Sequence, residues 1–136
     1  SDLKQDGIET YLNFKRKNHN LSIFNTISSS KKIDGTRQLN RPDSTYGLNY
    51  NLKVNNVFFG PFNIFTNYKH YGKSFDYAPS IKKVDSTDIV NMSISKKINS
   101  VDMNLNITNL LNESYQRPYG YSQNGRLLNI KIKLQY

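Results

Sequence analysis

Strict alternation of apolar and polar residues constrains this chain more than any other feature of its sequence. Successive side chains of a β-strand point to opposite faces, so a period of two residues predicts a strand with one apolar face. The final segment shows the period best, because one parity is apolar throughout: Leu128, Ile130, Ile132, Leu134 and Tyr136. The other parity of this segment is polar: Asn129, Lys131, Lys133 and Gln135. The chain therefore is predicted to end in a β-strand with one apolar face.

Six further segments alternate in the same way. The segment over 101–108 is the cleanest, and the others lie near 8–15, 21–27, 46–54, 62–69 and 90–95. Asn25 interrupts one apolar parity, and Phe65 breaks one polar parity. No stretch has a convincing helical period, and only the region around Asn109-Leu110-Leu111 is ambiguous. The sequence predicts an all-β chain of about seven strands arranged as an antiparallel meander.

The predicted connections alternate in length. Short turns are expected near 16–19, 54–60 and 96–100, and long loops near 29–43, 72–86 and 110–125. Transmembrane barrels combine short periplasmic turns with long extracellular loops, and bacterial single-chain barrels have an even number of strands. If the C-terminus is periplasmic, every long loop lies outside. An odd count then predicts that residues 1–136 form the C-terminal part of a larger transmembrane β-barrel whose earlier strands precede Ser1.

Composition agrees with a barrel wall and argues against several other classes of protein. The mean hydropathy is −0.70, and no apolar run reaches the roughly 18 residues of a transmembrane helix. The chain has no cysteine, which excludes disulfides and thiolate chemistry, and its two histidines, His19 and His70, lie far apart. No Ser/His/acid constellation is visible. We therefore expect no metal, cofactor or catalytic residues, and no enzyme.

The formal charge of +9 is of the kind found in proteins that bind nucleic acid. The basic residues fall in small groups at the ends of strand-like runs: Lys15-Arg16-Lys17, Lys31-Lys32, Lys82-Lys83 and Lys96-Lys97. Charge runs of this kind usually mark solvated ends, so no nucleic-acid partner is expected.

Alternation alone does not require a membrane, because soluble antiparallel sheets also carry one apolar and one polar face. Three features favour the barrel. The polar parity is long-chained, as at Lys131 and Lys133, the long and short connections alternate regularly, and the chain stops on Tyr136 in phase with the apolar residues. A soluble β-sandwich binding module and a porin-type barrel without a plug remain open alternatives.

The C-terminal region resembles the end of TonB-dependent receptors. The residues that carry the resemblance are Asn109-Leu110-Leu111-Asn112-Glu113-Ser114-Tyr115, Tyr119-Gly120-Tyr121, Gly125-Arg126 and the alternating run to Tyr136. Gly7-Ile8-Glu9 and Arg41-Pro42 resemble elements of earlier strands. We expect Gly120 and Gly125 to allow positive φ and Arg126 to anchor its loop by a charged hydrogen bond.

The resemblance implies an outer-membrane transporter of a Gram-negative bacterium, with roughly 22 strands and an N-terminal plug in the lumen. It implies uptake of a scarce nutrient, such as cobalamin or a ferric siderophore, with energy supplied through TonB, which binds an N-terminal box. The expected partners are the outer-membrane lipid, TonB and the plug through the missing part of the chain, the barrel-assembly machinery and the small nutrient ligand.

Two sets of residues are candidates for function. Tyr115, Tyr119 and Tyr121 in the last long loop are candidate ligand contacts, although aromatic side chains also pack within loops. The terminal run is a candidate signal for barrel assembly: Leu128, Ile130, Ile132, Leu134 and Tyr136.

Overall fold

The computed structural model describes residues 3–32, 41–56, 58, 60–78 and 80–134. Nine strands run in chain order: β1 (Leu3–Arg16), β2 (His19–Lys32), β3 (Ser44–Asn56), β4 (Gly60–Tyr71), β5 (Ser74–Ala78), β6 (Ser80–Val84), β7 (Thr87–Ile98), β8 (Val101–Thr108) and β9 (Leu127–Leu134). The all-β prediction is confirmed. Among the described residues, no helix is long and apolar enough to cross a membrane.

Seven of these strands form one antiparallel sheet in the order β1-β2-β3-β4-β7-β8-β9. This is the predicted meander, because each strand pairs with the next long strand along the chain. The region 72–86 is a long connection between β4 and β7, as predicted. It contains a separate two-stranded hairpin, β5–β6, whose five-residue strands were too short to show a clear period.

The register places the apolar parities of all seven strands on one side of the sheet, which we call the apolar face. Partners directly across from each other share a face, and one such row crosses the whole sheet: Phe14, Leu21, Tyr50, Thr66, Met92, Ile107 and Leu128. The opposite side, the polar face, carries the asparagines and lysines of the other parity. Phe65 lies on the polar face, opposite Asn51 in the register, as its parity predicted.

No other element covers the apolar face among the described residues, since each long strand contacts only its neighbours in the sheet. On β9, Ile130 is 65% exposed and Ile132 is 60% exposed. The chain exposes 10021 Å² of surface, whereas a compact chain of 15.8 kDa exposes about 7,300 Å². A single sheet with two open faces explains the excess.

The two ends of the sheet differ. The tight connections at Lys17-Asn18 and Asn99-Ser100, together with the one between β3 and β4, lie at one end, which we call the short-turn end. Strand β2 ends and β3 begins at the other end of the sheet, which we call the long-loop end, and the connections 72–86 and 109–126 lie there as well. The predicted alternation of short and long connections is confirmed. Within the described ranges β1 and β9 do not contact each other, so the sheet has two open edges.

Polar and aromatic residues border the apolar face at the long-loop end. The Tyr46 and His70 rings stack with their centroids 4.5 Å apart. The Tyr68 hydroxyl donates to the Asp88 carboxylate at 2.7 Å, and His70 Nδ1 lies 2.7 Å from the same oxygen. The partners of Asp88 lie 20 and 18 residues away in sequence, so no local pattern indicated these contacts.

Candidate ligand site in the long loops

Asn109 organises the start of the last long loop. Its residue surface is only 4% exposed, and its φ of 51° turns the chain sharply after β8. The Asn109 Nδ2 donates to the carbonyl oxygens of Glu113 at 2.8 Å and Asn124 at 3.3 Å, and its Oδ1 accepts from the Glu113 N–H at 2.9 Å. One side chain therefore joins the beginning of the loop to its end.

A chain of amide hydrogen bonds connects Asn109 to the sheet. The Asn109 N–H donates to Asn91 Oδ1 at 3.0 Å, and Asn91 Nδ2 donates to Asn67 Oδ1 at 3.2 Å. Asn67 Nδ2 then donates to Asn49 Oδ1 at 2.7 Å. Asn49, Asn67 and Asn91 occupy one register row of the polar face, so the ladder itself sets their spacing. The loop is thereby attached to three adjacent strands.

The Asn112 side chain forms a second closure of the loop. Its Oδ1 accepts a hydrogen bond from the Arg126 N–H at 2.8 Å. A Cβ on Gly125 would lie 2.8 Å from the same oxygen, which is closer than side chains tolerate. A larger residue at position 125 would therefore shift the Asn112 side chain away from its bond to Arg126. The φ of Gly125 is not positive, whereas Gly120 has the expected positive φ of 82°. Arg126 anchors the loop through its main chain, so the charged hydrogen bond predicted for its side chain is not what holds this closure.

A different arginine makes the charged contact. Arg117 Nη2 donates to the Gly72 carbonyl oxygen at 3.0 Å, and its guanidinium lies over the Tyr71 ring, 4.8 Å from the centroid. Burial lowers the pKa of the Arg117 guanidinium from its usual value, while the nearby Tyr71 and Asp76 act in the opposite direction. Arg117 therefore ties the loop to the end of β4, where an arginine can combine stacking with hydrogen bonding.

A further contact joins the loop to the β5–β6 hairpin. The Tyr119 N–H donates to the carboxylate of Asp76, which is only 4% exposed. The partners are 43 residues apart in sequence, and Arg117 and Gly72 are 45 apart. No local sequence signal could have revealed either pair, and sequence reasoning missed both.

The loop and the hairpin together form a cleft of about 300 Å³. Tyr115 and Tyr119 line it, with hydroxyl groups from Ser86, Thr87 and Ser114. Lys83 and Asp85 also line the cleft and form an ion pair at 3.0 Å, so their charges offset each other. The cleft can therefore offer aromatic rings and neutral hydrogen-bonding groups to a small molecule.

The three candidate tyrosines do not line one common cavity. Tyr115 also borders a second cavity of about 320 Å³ on the polar face, together with Tyr71, Asn91 and Asn109. Tyr119 borders only the first cleft, and Tyr121 is 69% exposed and borders neither cavity. Tyr115 is thus a lining residue of both cavities.

The terminal run lies on β9, the open edge of the sheet. Leu128, Ile130, Ile132 and Leu134 share the apolar face and are more than half exposed. Tyr136, the last member of the proposed assembly signal, lies outside the described residues.

These features define an open antiparallel meander with one uncovered apolar face and with long loops pinned together at one end. Among solved structures, the chain is similar to a chain in the structure of the FpvAI–pyocin S2 complex, with a TM-score of 0.80 and 14% identity. The match covers 94% of this chain and 19% of that one, so this chain spans about a fifth of the length of its neighbour. No family model and no curated protein matches. At this identity the likeness shows a shared fold.

Proposed function

We propose that this chain forms part of the wall of an outer-membrane transporter of the TonB-dependent receptor type. The observation that carries the proposal is the apolar face, which extends over seven strands and is left uncovered by the described residues. A soluble sandwich buries such a face against a second sheet. A transmembrane barrel instead turns its apolar face to lipid and its polar face to the lumen.

The fold likeness supports the same class of protein. FpvAI is a TonB-dependent receptor, and the complex contains it together with pyocin S2. The resemblance of the Asn109–Tyr115 segment and the Gly125-Arg126 pair to this family adds a separate argument, since both segments act in closing the last loop. The proposed cargo is a scarce nutrient such as cobalamin or a ferric siderophore, which enters from the long-loop side.

The proposed ligand contacts are Tyr115 and Tyr119, because both line the cleft of about 300 Å³. Ligand pockets begin near this volume and combine aromatic walls with a few polar groups. Tyr121 is the weaker candidate, because it lies outside both cavities.

Uptake by the full-length protein in its host tests the proposal. Cells that carry or lack its gene are supplied with labelled cobalamin or labelled ferric siderophore, with and without a proton uncoupler. We expect uptake that requires the gene and is abolished by the uncoupler. Uncoupler-resistant passage of many small solutes would instead identify a porin-type barrel, and a protein that does not co-sediment with outer membranes would refute both.

A further inference from the structure

Strands β4 and β7 separate at the short-turn end of the sheet. Their ladder ends at the pair Asn63–Ser95, although β4 continues to Gly60 and β7 continues to Ile98. Pro61 pairs with Asn55 of β3 and lies in the part of β4 that does not pair with β7. Proline lacks an N–H and is confined in sheets to edges, strand starts and bulges. Each strand keeps its partner on the other side, β3 and β8 respectively, so a notch opens inside an otherwise continuous sheet.

A cavity of about 490 Å³ occupies this notch. Three lysines line it, Lys53 from β3 and both Lys96 and Lys97 from β7, together with the carboxylate of Asp102 from β8. Lys97 Nζ lies 4.0 Å from an Asp102 oxygen, so one of the three positive charges is partly offset. The formal charge of the notch remains positive by two.

The notch is open to both faces of the sheet. Lys53, Lys97 and Asp102 belong to the polar face, whereas Lys96 shares the parity of the apolar face with Phe62 and Met103. Phe62 and Met103 also line the cavity. Cationic groups thus stand beside apolar ones at the boundary of the apolar face, and this combination suits an amphiphile with an anionic head.

We infer that the notch binds the phosphate group of an anionic phospholipid from the leaflet at the short-turn end. The inference rests on the proposed membrane location, since lipid reaches the notch only if the apolar face contacts the bilayer. Lysines at the level of the head groups attract anionic lipid, and basic pockets at this depth hold phosphate-bearing head groups. The apolar flank distinguishes a lipid from free phosphate, because an inorganic anion would gain nothing from Phe62 and Met103.

Native mass spectrometry of the full-length protein tests the inference. The protein is extracted in detergent and mixed with phosphatidylglycerol or phosphatidylcholine, and the bound lipid is counted. We expect tighter retention of phosphatidylglycerol, weakened by about tenfold or more in the variant K53Q/K96Q/K97Q. Each lysine near anionic lipid contributes roughly a fivefold effect, and Asp102 already offsets part of the total.

A matched variant, K15Q/R16Q/K17Q, removes the same charge from the β1–β2 turn at the same end of the sheet, away from the residues that line the notch. It should retain phosphatidylglycerol as the parent does, and equal loss in both variants would overturn the assignment to the notch. If inorganic phosphate at a comparable concentration displaces the lipid, the proposed lipid site is rejected and the notch is instead a site for free phosphate. Insertion of the protein into the bilayer is measured separately by flotation with vesicles. Failure of the protein to insert would refute the proposed function. Insertion without selective retention of phosphatidylglycerol would refute only the proposed lipid binding in the notch.

Discussion

Replacing Asn109 with alanine tests whether this one side chain closes the last long loop. Asn109 makes three side-chain hydrogen bonds, to Glu113 and Asn124, and holds a φ of 51°. Each bond contributes about 0.5–1.5 kcal/mol net, and the partners are exposed enough to be rehydrated, which places the sum near 1–2.5 kcal/mol. A positive φ costs alanine about 1 kcal/mol more. The free energy of loop opening should fall by about 2–3.5 kcal/mol.

Hydrogen–deuterium exchange of the full-length protein measures this change directly. Exchange within 109–126 should accelerate by about 30- to 300-fold, since each 1.4 kcal/mol is a factor of ten. Peptides from β1 and β2 should exchange as in the parent, because the lost contacts are local. Asn129→Ala is the control, since Asn129 is exposed on β9 and has no side-chain hydrogen bond within the described part of the chain. If both variants leave the loop equally protected, Asn109 does not close it.

Three other changes test the apolar face, the C-terminal residue and the contact of Arg117 with the end of β4. Ile130→Arg should cost about 2–4 kcal/mol, because Ile130 shares its register row with Leu105 and Ile94 in the middle of the apolar face. Lys131→Gln on the polar face should cost little. Folding titrations in lipid vesicles measure both, and equal tolerance would reject a lipid-facing Ile130. Deleting Tyr136 should lower the level of the protein in the outer membrane, while the purified protein should still fold in detergent. Unchanged assembly in cells would show that Tyr136 is not an assembly signal and would leave it only the role of an aromatic residue at the membrane interface. Arg117→Met should speed limited proteolysis of the last long loop by roughly tenfold or more, since a hydrogen bond from a charged group contributes about 1.5–3 kcal/mol. Arg126→Met should not, because only its main chain joins the closure.

The strands could be predicted from sequence because their signal is local. Alternation over 101–108 and 127–134 requires only that neighbouring side chains point to opposite faces, and both strands lie where the period placed them. The short strands β5 and β6 escaped prediction, since five residues give too few alternations to distinguish from a loop.

The candidate site was predicted only in part. The sequence indicates the motif around Asn109 and the Gly125-Arg126 pair, but their shared role in closing the loop depends on the structure, in which the chain returns to Asn109 at Asn124, 15 positions later. Gly125 illustrates the difference, because the sequence suggested a positive φ and the structure shows a crowded approach to Asn112.

The sequence by itself determined which residues belong to the apolar face, because a strand fixes the parity of its own side chains. Only the tertiary structure decided which strands lie side by side, that β4 and β7 separate beyond the pair Asn63–Ser95, and that Arg117 reaches Gly72. These contacts depend on register and loop closure, which bring together residues that are remote along the chain, and no local pattern records them. The alternation of one strand is a property of its own backbone, whereas a notch or a cleft is a property of several strands placed together.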